Sequence, residues 1–537
     1  MSRSSLARNP SPSAFVTLSG VAARTPDGRA LFENLNLSLA RERTGIVGRN
    51  GTGKTTLLDL ISGDRAPAEG SVARAGSIAR LRQEAGTAPD LTVAGVLGVY
   101  GAFSRQQRIL AGEGTVDDLA EADWTLESRL EEALAAVGLQ GLALDRDAAT
   151  LSGGERTRLE LAALELVGAD MILLDEPTNH LDEAGRALVA ERLATWPGGA
   201  VVVSHDRALL RRMDRIVELS PLGASVYGGH YDLYAERKAL ERQAAEHDLA
   251  LAESAVARTA AEAQRRAETK ARRDRAGRRK GLKGDMPKML RDAKIEQAEQ
   301  SGASQVRLAA KQAEDAEQAL AAARERVERV RRMSVPLPPT GLTAGRQVLT
   351  LQGVRADGER GPRVGPVDLR LTGPERLAIT GPNGSGKTTL LDLITGRITP
   401  SAGTVERSVP LALLDQHAGL LRDDETLVEA WQRLNPEGTL NDAQAALARF
   451  LFRNVEAHKS VAVLSGGERL RAALACVMTG PEPPQLLVLD EPTNHLDLDA
   501  IEAVEAALAA WDGALIVVSH DRDFLEAIRI GREVRLG

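Results

Sequence analysis

The sequence predicts two copies of an α/β domain, each with a mainly parallel sheet and a helical lobe, joined by an antiparallel coiled-coil hairpin. Three observations support this fold class. A set of motifs occurs twice, in the same order, in the 537-residue chain. In each copy, apolar segments of strand length alternate with helical segments, which is typical of a parallel sheet covered on both faces. Between the copies, apolar residues recur at seven-residue spacing in a charged segment, which is typical of a coiled coil.

Composition places the boundaries of these parts. Residues 1–13 contain no apolar run and are expected to form a disordered tail rather than a signal peptide. The first copy is assigned to residues 14–234, the hairpin to 235–338 and the second copy to 346–537. No apolar run of about 18 residues occurs, so no membrane domain is predicted. The single cysteine, Cys476, excludes intrachain disulfides and cysteine-held zinc or iron–sulfur clusters; we expect it to be buried, in a protein of the reducing cytoplasm.

The two copies of the internal repeat are very similar in sequence. GRNGTGKTTLLDLISG begins at Gly48 and returns as GPNGSGKTTLLDLITG at Gly381, and LSGGER, LDEPTNHLD and VVSHDR also occur twice. The spacing of the repeated positions gives the first copy 20 additional residues, within about Gly98 to Ser128. Helical lobes are predicted at about residues 90–150 and 420–463.

The glycine-rich motif GxxxxGK[ST] follows a predicted strand and opens a helix in both copies. Its glycines allow backbone amides to approach a phosphate closely. Lys54 and Lys387 are expected to neutralise β- and γ-phosphate oxygens, while the hydroxyls of Thr55 and Thr388 bind Mg²⁺. The candidate phosphate-binding residues are Gly48, Asn50, Gly51, Gly53, Lys54, Thr55, Thr56, Gly381, Asn383, Gly384, Gly386, Lys387, Thr388 and Thr389.

Two adjacent acids end an apolar strand in each copy. Asp175 and Asp490 are placed to reach the metal through water, and the next residues, Glu176 and Glu491, to polarise a water in line with the γ-phosphate. Gln83 and Gln416 are expected to sense the metal and the attacking water, and His205 and His520 to contact the γ-phosphate. The candidate metal ligands are therefore Thr55, Gln83, Asp175, Thr388, Gln416 and Asp490.

Of the repeated motifs, LSGGE is the most specific indicator of the kind of nucleotide site that the two copies form. Its serine and glycine amides open a predicted helix, and a helix N-terminus binds anions. The motif comes too late in the chain to serve the phosphate held by its own glycine loop, so we expect it to face the other copy, with ATP between the two. The candidate residues are Ser152, Gly153, Gly154, Glu155, Ser465, Gly466, Gly467 and Glu468.

The segment of residues 236–333 predicts the hairpin. Its heptad positions are Leu249, Val256 and Ala263 before a break at residues 276–288, and Val306, Ala309, Ala313, Ala316, Leu320, Ala323, Val327 and Val330 after it. Each arm of roughly 40 residues would reach about 60 Å.

Positive charge is concentrated at the tip of this hairpin. Between Arg265 and Lys294 the chain has 13 Lys or Arg and four Asp or Glu, a net charge of +9, whereas the whole chain carries −7 and its remainder −16. A basic element on an acidic protein favours nucleic acid as partner over a solvated linker. The candidate RNA-binding residues are Arg272, Arg273, Arg275, Arg278, Arg279, Lys280, Lys283 and Lys288.

These motifs resemble the ATP-binding cassette superfamily, whose Walker A, Q-loop, LSGGE, Walker B, D-loop and H-switch motifs are all present twice. Tandem cassettes joined by a charged hairpin resemble its F subfamily, and Val226–Lys238 is similar to the segment that introduces that hairpin, with His230 where the family more often has Asn. The resemblance implies a cytoplasmic ATPase that binds as a monomer to the ribosomal exit site. Its hairpin would reach ribosomal RNA and tRNA near the peptidyl-transferase centre, and ATP hydrolysis would release it.

The sequence departs from this pattern in two places. Cassettes often stack adenine on an aromatic residue about 25 positions before Walker A, but VAARTPDGR and VRADGERGPR contain none. Adenine is therefore expected against Arg24 or an aliphatic residue, and the choice between ATP and GTP stays open. The extra residues of the first copy are fewer than the ribosome-contacting arm that the family often carries there, so a small arm contact is expected.

Several functions fit the motifs to different degrees. A transporter ATPase subunit has no use for a basic coiled coil between its cassettes, and genome-maintenance ATPases interrupt a cassette with their coil or need cysteine-bound zinc. Within the F subfamily, some members regulate translation and others dislodge ribosome-directed antibiotics. The long hairpin, the short arm and apolar residues at the tip (Leu282, Met286, Met289, Leu290) favour resistance; the drug class is not readable from the sequence.

Overall fold

The structure is a computed structural model. It describes residues 14–81, 91–179, 181–220, 223–281, 310–324, 337–358, 361–416 and 418–537. The described residues form two compact units: residues 234–281 and 310–324 make one, and both copies of the repeated domain together make the other.

Strands and helices alternate through both copies. The strands are β1 Val16–Arg24, β2 Ala30–Leu39, β3 Arg43–Val47, β4 Glu69–Arg74, β5 Ile78–Leu81, β6 Met171–Asp175, β7 Gly199–Val203, β8 Arg215–Ser220, β9 Gly223–Gly228, β10 Gln347–Gly358, β11 Gly361–Thr372, β12 Arg376–Thr380, β13 Ala402–Arg407, β14 Leu411–Leu414, β15 Leu486–Asp490, β16 Ala514–Val518 and β17 Arg532–Arg535. The helices are α1 Lys54–Ser62, α2 Val93–Val96, α3 Tyr100–Leu110, α4 Val116–Ala120, α5 Leu126–Ala136, α6 Gly153–Val167, α7 Glu183–Thr195, α8 Arg207–Leu210, α9 Tyr231–Gly281, α10 (residues 310–324), α11 Lys387–Thr395, α12 Leu427–Leu434, α13 Leu440–Arg449, α14 Gly466–Met478, α15 Leu498–Ala510 and α16 Arg522–Ala527.

Each copy contains one large, mainly parallel sheet and one small antiparallel sheet. In the first copy the large sheet has the order β5-β6-β7-β3-β8-β9, parallel except for the last pair, and the small sheet is β2-β1-β4. In the second copy the orders are β14-β15-β16-β12-β17, all parallel, and β11-β10-β13. The predicted fold class, two α/β domains with mainly parallel sheets, is confirmed.

The apolar strands of the large sheets explain this arrangement. The strands MILLD and GAVVV in the first copy and ALIVV in the second are buried along their whole length, as expected for strands covered by helices on both faces. Because parallel strands end at one edge of the sheet, the residues after β3, β6 and β7 meet at the same place. The functional side chains of each copy are collected at that edge.

The helical lobes differ between the copies. α2 corresponds to α12, since Thr92 and Thr426 cap equivalent helices. α5 corresponds to α13, since each packs against the helix of its own copy that begins at LSGGE. The additional residues of the first copy fold as α3 and α4, within the predicted range. This pair exposes apolar side chains, of which Leu110 is 73% exposed and Val116 82% exposed.

The other unit contains the helices of the hairpin segment. α9 is a helix of 51 residues, longer than the predicted arm, because it begins at Tyr231 and continues five residues past the predicted break at Ala276. In α10 the predicted seam residues Ala313, Ala316 and Leu320 are half-buried and Ala323 is buried. Arg324 Nη2 lies 3.7 Å from Glu253 Oε1, an ion pair between α10 and α9. The remaining heptad positions after the break lie outside the described residues.

Cys476 is buried, as predicted, and burial raises the pKa of its thiol. Of the helices in the described ranges, none is both long enough and apolar enough to cross a bilayer.

Candidate active site

The glycine loop of each copy leads from a central strand into a helix. Gly53 caps α1 with φ 93°, and Gly386 caps α11 with φ 89°. These angles lie in the left-handed region that favours glycine, and a Cβ on Gly386 would stand 2.3 Å from the backbone oxygen of Arg363. The first amides of α1 and α11 have no acceptor within the helix, so they are available to a phosphate.

The lysine of each loop is held by the loop backbone. Lys54 Nζ donates to the carbonyl oxygens of Gly48 (2.7 Å) and Arg49 (3.1 Å). Lys387 Nζ makes the matching pair of hydrogen bonds at 2.8 and 3.0 Å. Burial lowers the pKa of both lysines. Each ammonium group therefore stands inside its loop, where β- and γ-phosphate oxygens would meet it.

A threonine and an aspartate stand at the predicted metal-binding positions in each copy. Thr388 Oγ1 donates to Asp490 Oδ2 (3.1 Å). In the first copy Thr55 and Asp175 line the same cavity. Burial raises the pKa of both aspartates. Asp175 Oδ2 is buried and has no hydrogen-bond partner among the described residues. Hydroxyl and carboxylate oxygens are the donors that Mg²⁺ prefers, so these residues fit that ion.

Arg80, on β5, is a residue of this site that the sequence analysis missed. Its Nη2 atom lies 3.8 Å from Asp175 Oδ2, and its side chain also forms an ion pair with Asp59. The matching position of β14 is Leu413. One feature of the sequence could have identified it: an arginine inside the otherwise apolar strand IARL. As a result, the aspartate of the first copy has a neighbouring positive charge that the aspartate of the second copy lacks.

The glutamate after each aspartate has an unusual backbone conformation. Glu176 has φ 48° and Glu491 has φ 46°, in the left-handed region that costs a side chain on the order of 1–3 kcal/mol. The backbone amide of each donates to the neighbouring strand, at Val203 O and Val518 O, both at 2.9 Å. Burial raises the pKa of Glu176 to about 8 and that of Glu491 to about 7. The two carboxyl groups are therefore suited to accept a proton near neutral pH.

A histidine stands beside each glutamate. The Nε2 atoms of His205 and His520 lie 3.4 Å from Oε1 of Glu176 and Glu491, respectively. Burial lowers the pKa of both histidines, to about 4 for His520, so both are neutral at pH 7. Both ring nitrogens of His205 are buried without a hydrogen-bond partner in the part of the chain that the structure describes. A neutral imidazole so placed can donate one hydrogen bond to a γ-phosphate oxygen.

The raised glutamate pKa values predict a pH dependence. A general base acts when deprotonated, so kcat/KM for ATP hydrolysis should rise with pH and level off above about pH 8 for the Glu176 site and above about pH 7 for the Glu491 site. The variants Glu491→Gln and Glu176→Gln isolate these two sites in turn. Steady-state rates between pH 6 and pH 9 check this, and a flat profile in both variants would contradict it.

The LSGGE motifs begin helices in both copies. In α6, Ser152 Oγ accepts from the Glu155 amide (3.3 Å), and Glu155 Oε2 accepts from the Ser152 amide (2.8 Å). Ser465 and Glu468 form the same capping box on α14. The box fixes the first turn of each helix, where Gly153 and Gly154, or Gly466 and Gly467, present their amides.

The two copies face each other across their glycine loops. The Asn50 amide donates to Asp497 Oδ2 (2.9 Å), and its Nδ2 donates to His495 O (2.9 Å). In the reverse direction, the Asn383 amide donates to Asp182 Oδ2 (3.2 Å). Each loop is therefore held by the residues that follow the LDEPTN segment of the other copy.

A cavity of about 510 Å³ lies at this interface. From the first copy it is lined by Lys54, Thr55, Thr56, Asp175, Glu176 and His205. From the second copy it is lined by Gly466, Thr493, His495, Leu496 and Asp521. The structure thus brings the phosphate-binding residues of the first copy to the LSGGE helix of the second.

The other predicted site residues lie elsewhere or outside the described ranges. Gln416 has an exposed side chain just after β14, and Gln83 is outside the described residues. Arg272 is exposed on α9; Arg273, Arg275, Arg278, Arg279 and Lys280 follow on the same helix, while Lys283 and Lys288 are not among the described residues. Arg24, against which adenine is expected, donates from Nη2 to Glu33 (3.2 Å) and does not line this cavity, so the expectation stays a prediction.

Comparison with known proteins shows which family this chain resembles in sequence. The sequence model of the family described as ABC transporter matches residues 32–179 and 364–494. The chain is 35% identical to the tylosin resistance ATP-binding protein TlrC of Streptomyces fradiae, over 95% of both chains. It is 30% identical to the energy-dependent translational throttle protein EttA of Mycobacterium tuberculosis, over 93% of this chain and 87% of that one.

A solved structure shares the fold. The archaeal ribosome recycling factor aABCE1, solved in complex with the ribosomal stalk protein aP1, matches with a TM-score of 0.53 and 20% sequence identity. The match covers 96% of this chain and 87% of that chain.

Proposed function

This chain belongs to the ATP-binding cassette superfamily and its F subfamily and hydrolyses ATP, and we propose that it does so on the ribosome, where it protects translation against antibiotics. The observation that carries the proposal is the likeness to TlrC, a tylosin resistance protein, over 95% of both chains, hairpin segment included. The basic residues at the end of α9 support ribosomal RNA and tRNA near the exit site as its contacts, with the cytoplasm as its compartment. The paired cassettes within one chain support action as a monomer.

The site supports the following order of events. ATP enters between the cassettes, with its phosphates on one glycine loop and the LSGGE helix of the other cassette closing over them. The Thr55 or Thr388 hydroxyl and, through water, the Asp175 or Asp490 carboxylate would hold Mg²⁺, which would neutralise charge on the β- and γ-phosphates. Glu176 or Glu491 takes a proton from the attacking water as the water oxygen bonds to the γ-phosphorus, and the bond from that phosphorus to the bridging oxygen breaks so that ADP leaves. The neighbouring histidine donates a hydrogen bond to a γ-phosphate oxygen. Loss of the γ-phosphate then removes the contact that keeps the cassettes closed.

A charged contact supports a link between cassette closure and the hairpin helix. Arg211, which follows α8, donates twice to Asp523 of the second cassette (2.8 and 2.7 Å). Its Nε atom also donates to Asp232 (2.8 Å) in the first turn of α9, and its guanidinium lies over the Tyr231 ring. α8 begins two residues after His205. One side chain therefore joins the histidine segment, the opposite cassette and the start of α9.

Removal of this arginine should separate ATP hydrolysis from ribosome action. We expect Arg211→Ala to keep basal hydrolysis within about twofold of the unaltered protein but to lower ribosome-stimulated hydrolysis by about tenfold, the scale of a close interfacial charge pair. Steady-state hydrolysis with and without purified ribosomes measures both. Arg433→Ala, which removes a bidentate pair with Glu425 inside the second cassette, is the matched control. Equal stimulation of the two variants would contradict the link.

Expression in a drug-sensitive host tests the protective role. We expect growth at raised concentrations of tylosin or another ribosome-directed antibiotic, and no protection from the Glu176→Gln, Glu491→Gln double variant. The likeness to EttA, a translational throttle protein, favours a second function, regulation of translation. No protection against any drug of the panel, combined with ATP-dependent inhibition of translation in vitro, would favour that second function.

A further inference from the structure

We propose that Arg80 weakens divalent-cation binding at the first glycine loop, so that the two nucleotide sites of the chain fill at different Mg²⁺ concentrations. The proposal deepens the ATP-binding part of the proposed function, because it rests on the binding of Mg²⁺ together with a nucleotide at each loop. It does not depend on the ribosomal role, so the two can fail separately.

The position of the arginine is the first argument. Arg80 lies on β5, which pairs with β6, the strand that ends at Asp175. Its side chain is only 9% exposed, and its Nη2 atom lies 3.8 Å from Asp175 Oδ2. Its Nη1 atom forms an ion pair with Asp59 on α1 and lies 3.6 Å from Asp64 Oδ2. The guanidinium is thus held beside the aspartate that stands at the metal-binding position.

The second copy has no such arginine beside its aspartate. Leu413 of β14 occupies the strand position that Arg80 has on β5. Two carboxylates, Asp392 and Asp415, act on Asp490 with like charge. The Asp490 carboxylate accepts the threonine hydrogen bond described above but forms no ion pair within the described ranges. Its surroundings are therefore negative where those of the first aspartate include a positive charge.

Burial separates the effects of the arginines in the two copies. Arg397 forms ion pairs with both carboxylates that repel the second aspartate, at 3.9 and 3.0 Å, but its side chain is 52% exposed, so solvent screens its charge. Arg80 is buried, and its charge is screened less. Asp59, which repels Asp175, is itself paired with Arg80. The positive charge of the first site therefore acts on the metal-binding aspartate directly.

A positive charge beside a metal ligand lowers the affinity of that ligand for a divalent cation. The groups that surround a ligand tune the metal that it holds, and like charges repel more strongly in a partly buried site than in water. One unit charge at such a place is expected to change the affinity for a divalent cation by about tenfold. We therefore expect the first site to need about ten times more Mg²⁺ than the second.

Nucleotide binding with and without Mg²⁺ tests the proposal. Lys387→Ala leaves the first glycine loop functional, and Lys54→Ala leaves the second. For each protein, fluorescence titration gives the Kd of mant-ADP in EDTA and in Mg²⁺, and by linkage the ratio of these two Kd values measures how strongly Mg²⁺ is held. We expect this ratio to be about tenfold larger at the second site. Arg80→Leu in the first-site protein should raise its ratio about tenfold.

Two control variants separate charge from support of the loop. Arg80→Lys keeps the positive charge and should keep the low ratio within about threefold. Arg41→Leu removes an arginine of the same cassette that pairs with Asp170 on the surface, and it should leave the ratio unchanged.

Two results would overturn the proposal. The first is an equal ratio at the two sites in the chain that retains Arg80, a comparison that needs no change at Arg80 itself. The second is a loss of mant-ADP affinity in Arg80→Leu that is the same in EDTA and in Mg²⁺, because the arginine would then support the loop without acting on the cation. Neither measurement uses ribosomes, so both stand apart from the test of the protective role.

Discussion

Replacing Glu176 and Glu491 together with Gln should lower ATP hydrolysis by about 10²- to 10⁴-fold while ATP binding persists. The range is that of removing a general base. Gln keeps the size of each side chain and leaves the backbone hydrogen bonds to Val203 and Val518 in place, so the loops and the cassette interface should be unaffected. With hydrolysis blocked, the cassettes should stay closed around ATP, and the protein should remain on ribosomes. Single-turnover hydrolysis, ATP retention on filters and cosedimentation with ribosomes measure the three effects.

Control variants show whether the loss of activity in the double variant comes from the loss of the two catalytic carboxylates. Glu482→Gln changes an exposed glutamate of the second cassette and should hydrolyse ATP at the ordinary rate. Each single glutamate variant should keep part of the activity, since one intact site remains. Hydrolysis at the ordinary rate in the double variant would remove the glutamates from the mechanism. Cosedimentation that is the same with and without ATP would argue against closure as the event that retains the protein.

Replacing Arg278, Arg279, Lys280 and Lys283 with Ala should weaken ribosome binding by about 100-fold or more near physiological salt. Each cation that contacts a phosphate releases counterions, so the slope of log K against log salt should become shallower by about 3 to 4 when four contacts are lost. Nucleotide binding should be unchanged, because these residues are far along the chain from both glycine loops. Cosedimentation across a series of potassium chloride concentrations gives the affinity and the slope together.

A second variant shows whether position or total charge is responsible. Arg258→Ala with Lys311→Ala removes two exposed cations from α9 and α10, away from the tip. It should change ribosome affinity by less than about threefold. If the tip variant and the arm variant lost affinity in proportion to the number of charges removed, the tip would have no special role in binding.

The parts of the fold that the sequence predicted correctly depend on local patterns. α6 and α14 begin at the glycines of LSGGE because a serine and a glutamate three residues apart form a capping box. The extra residues of the first copy fold within the range that the repeat offsets indicated, because duplicated sequence aligns with itself. The half-buried seam of α10 follows the heptads. In each case the signal is present in the sequence without knowledge of which distant residues meet in the fold.

The parts that the sequence did not predict depend on contacts between distant stretches. Arg80 comes near Asp175 only because β5 pairs with β6, and Arg211 meets Asp523 only because the cassettes pack together. Arg24 and Arg29 are both arginines of the same short segment. Arg24 ends a strand beside Glu33, while Arg29 lies on the other side of the turn and lines the cavity. Which of two similar side chains enters a site is decided by tertiary geometry that spacing alone does not encode.

The contact between Arg211 and Asp523 has no reciprocal in the other half of the molecule. The positions that correspond to them by the repeat are Glu526 and Ala208, which cannot form an ion pair. A freshly duplicated gene makes every such contact twice, so this asymmetry records divergence after the duplication. Two separate copies of either half would leave the contact incomplete on both sides. At this contact the two halves are therefore complementary and not interchangeable.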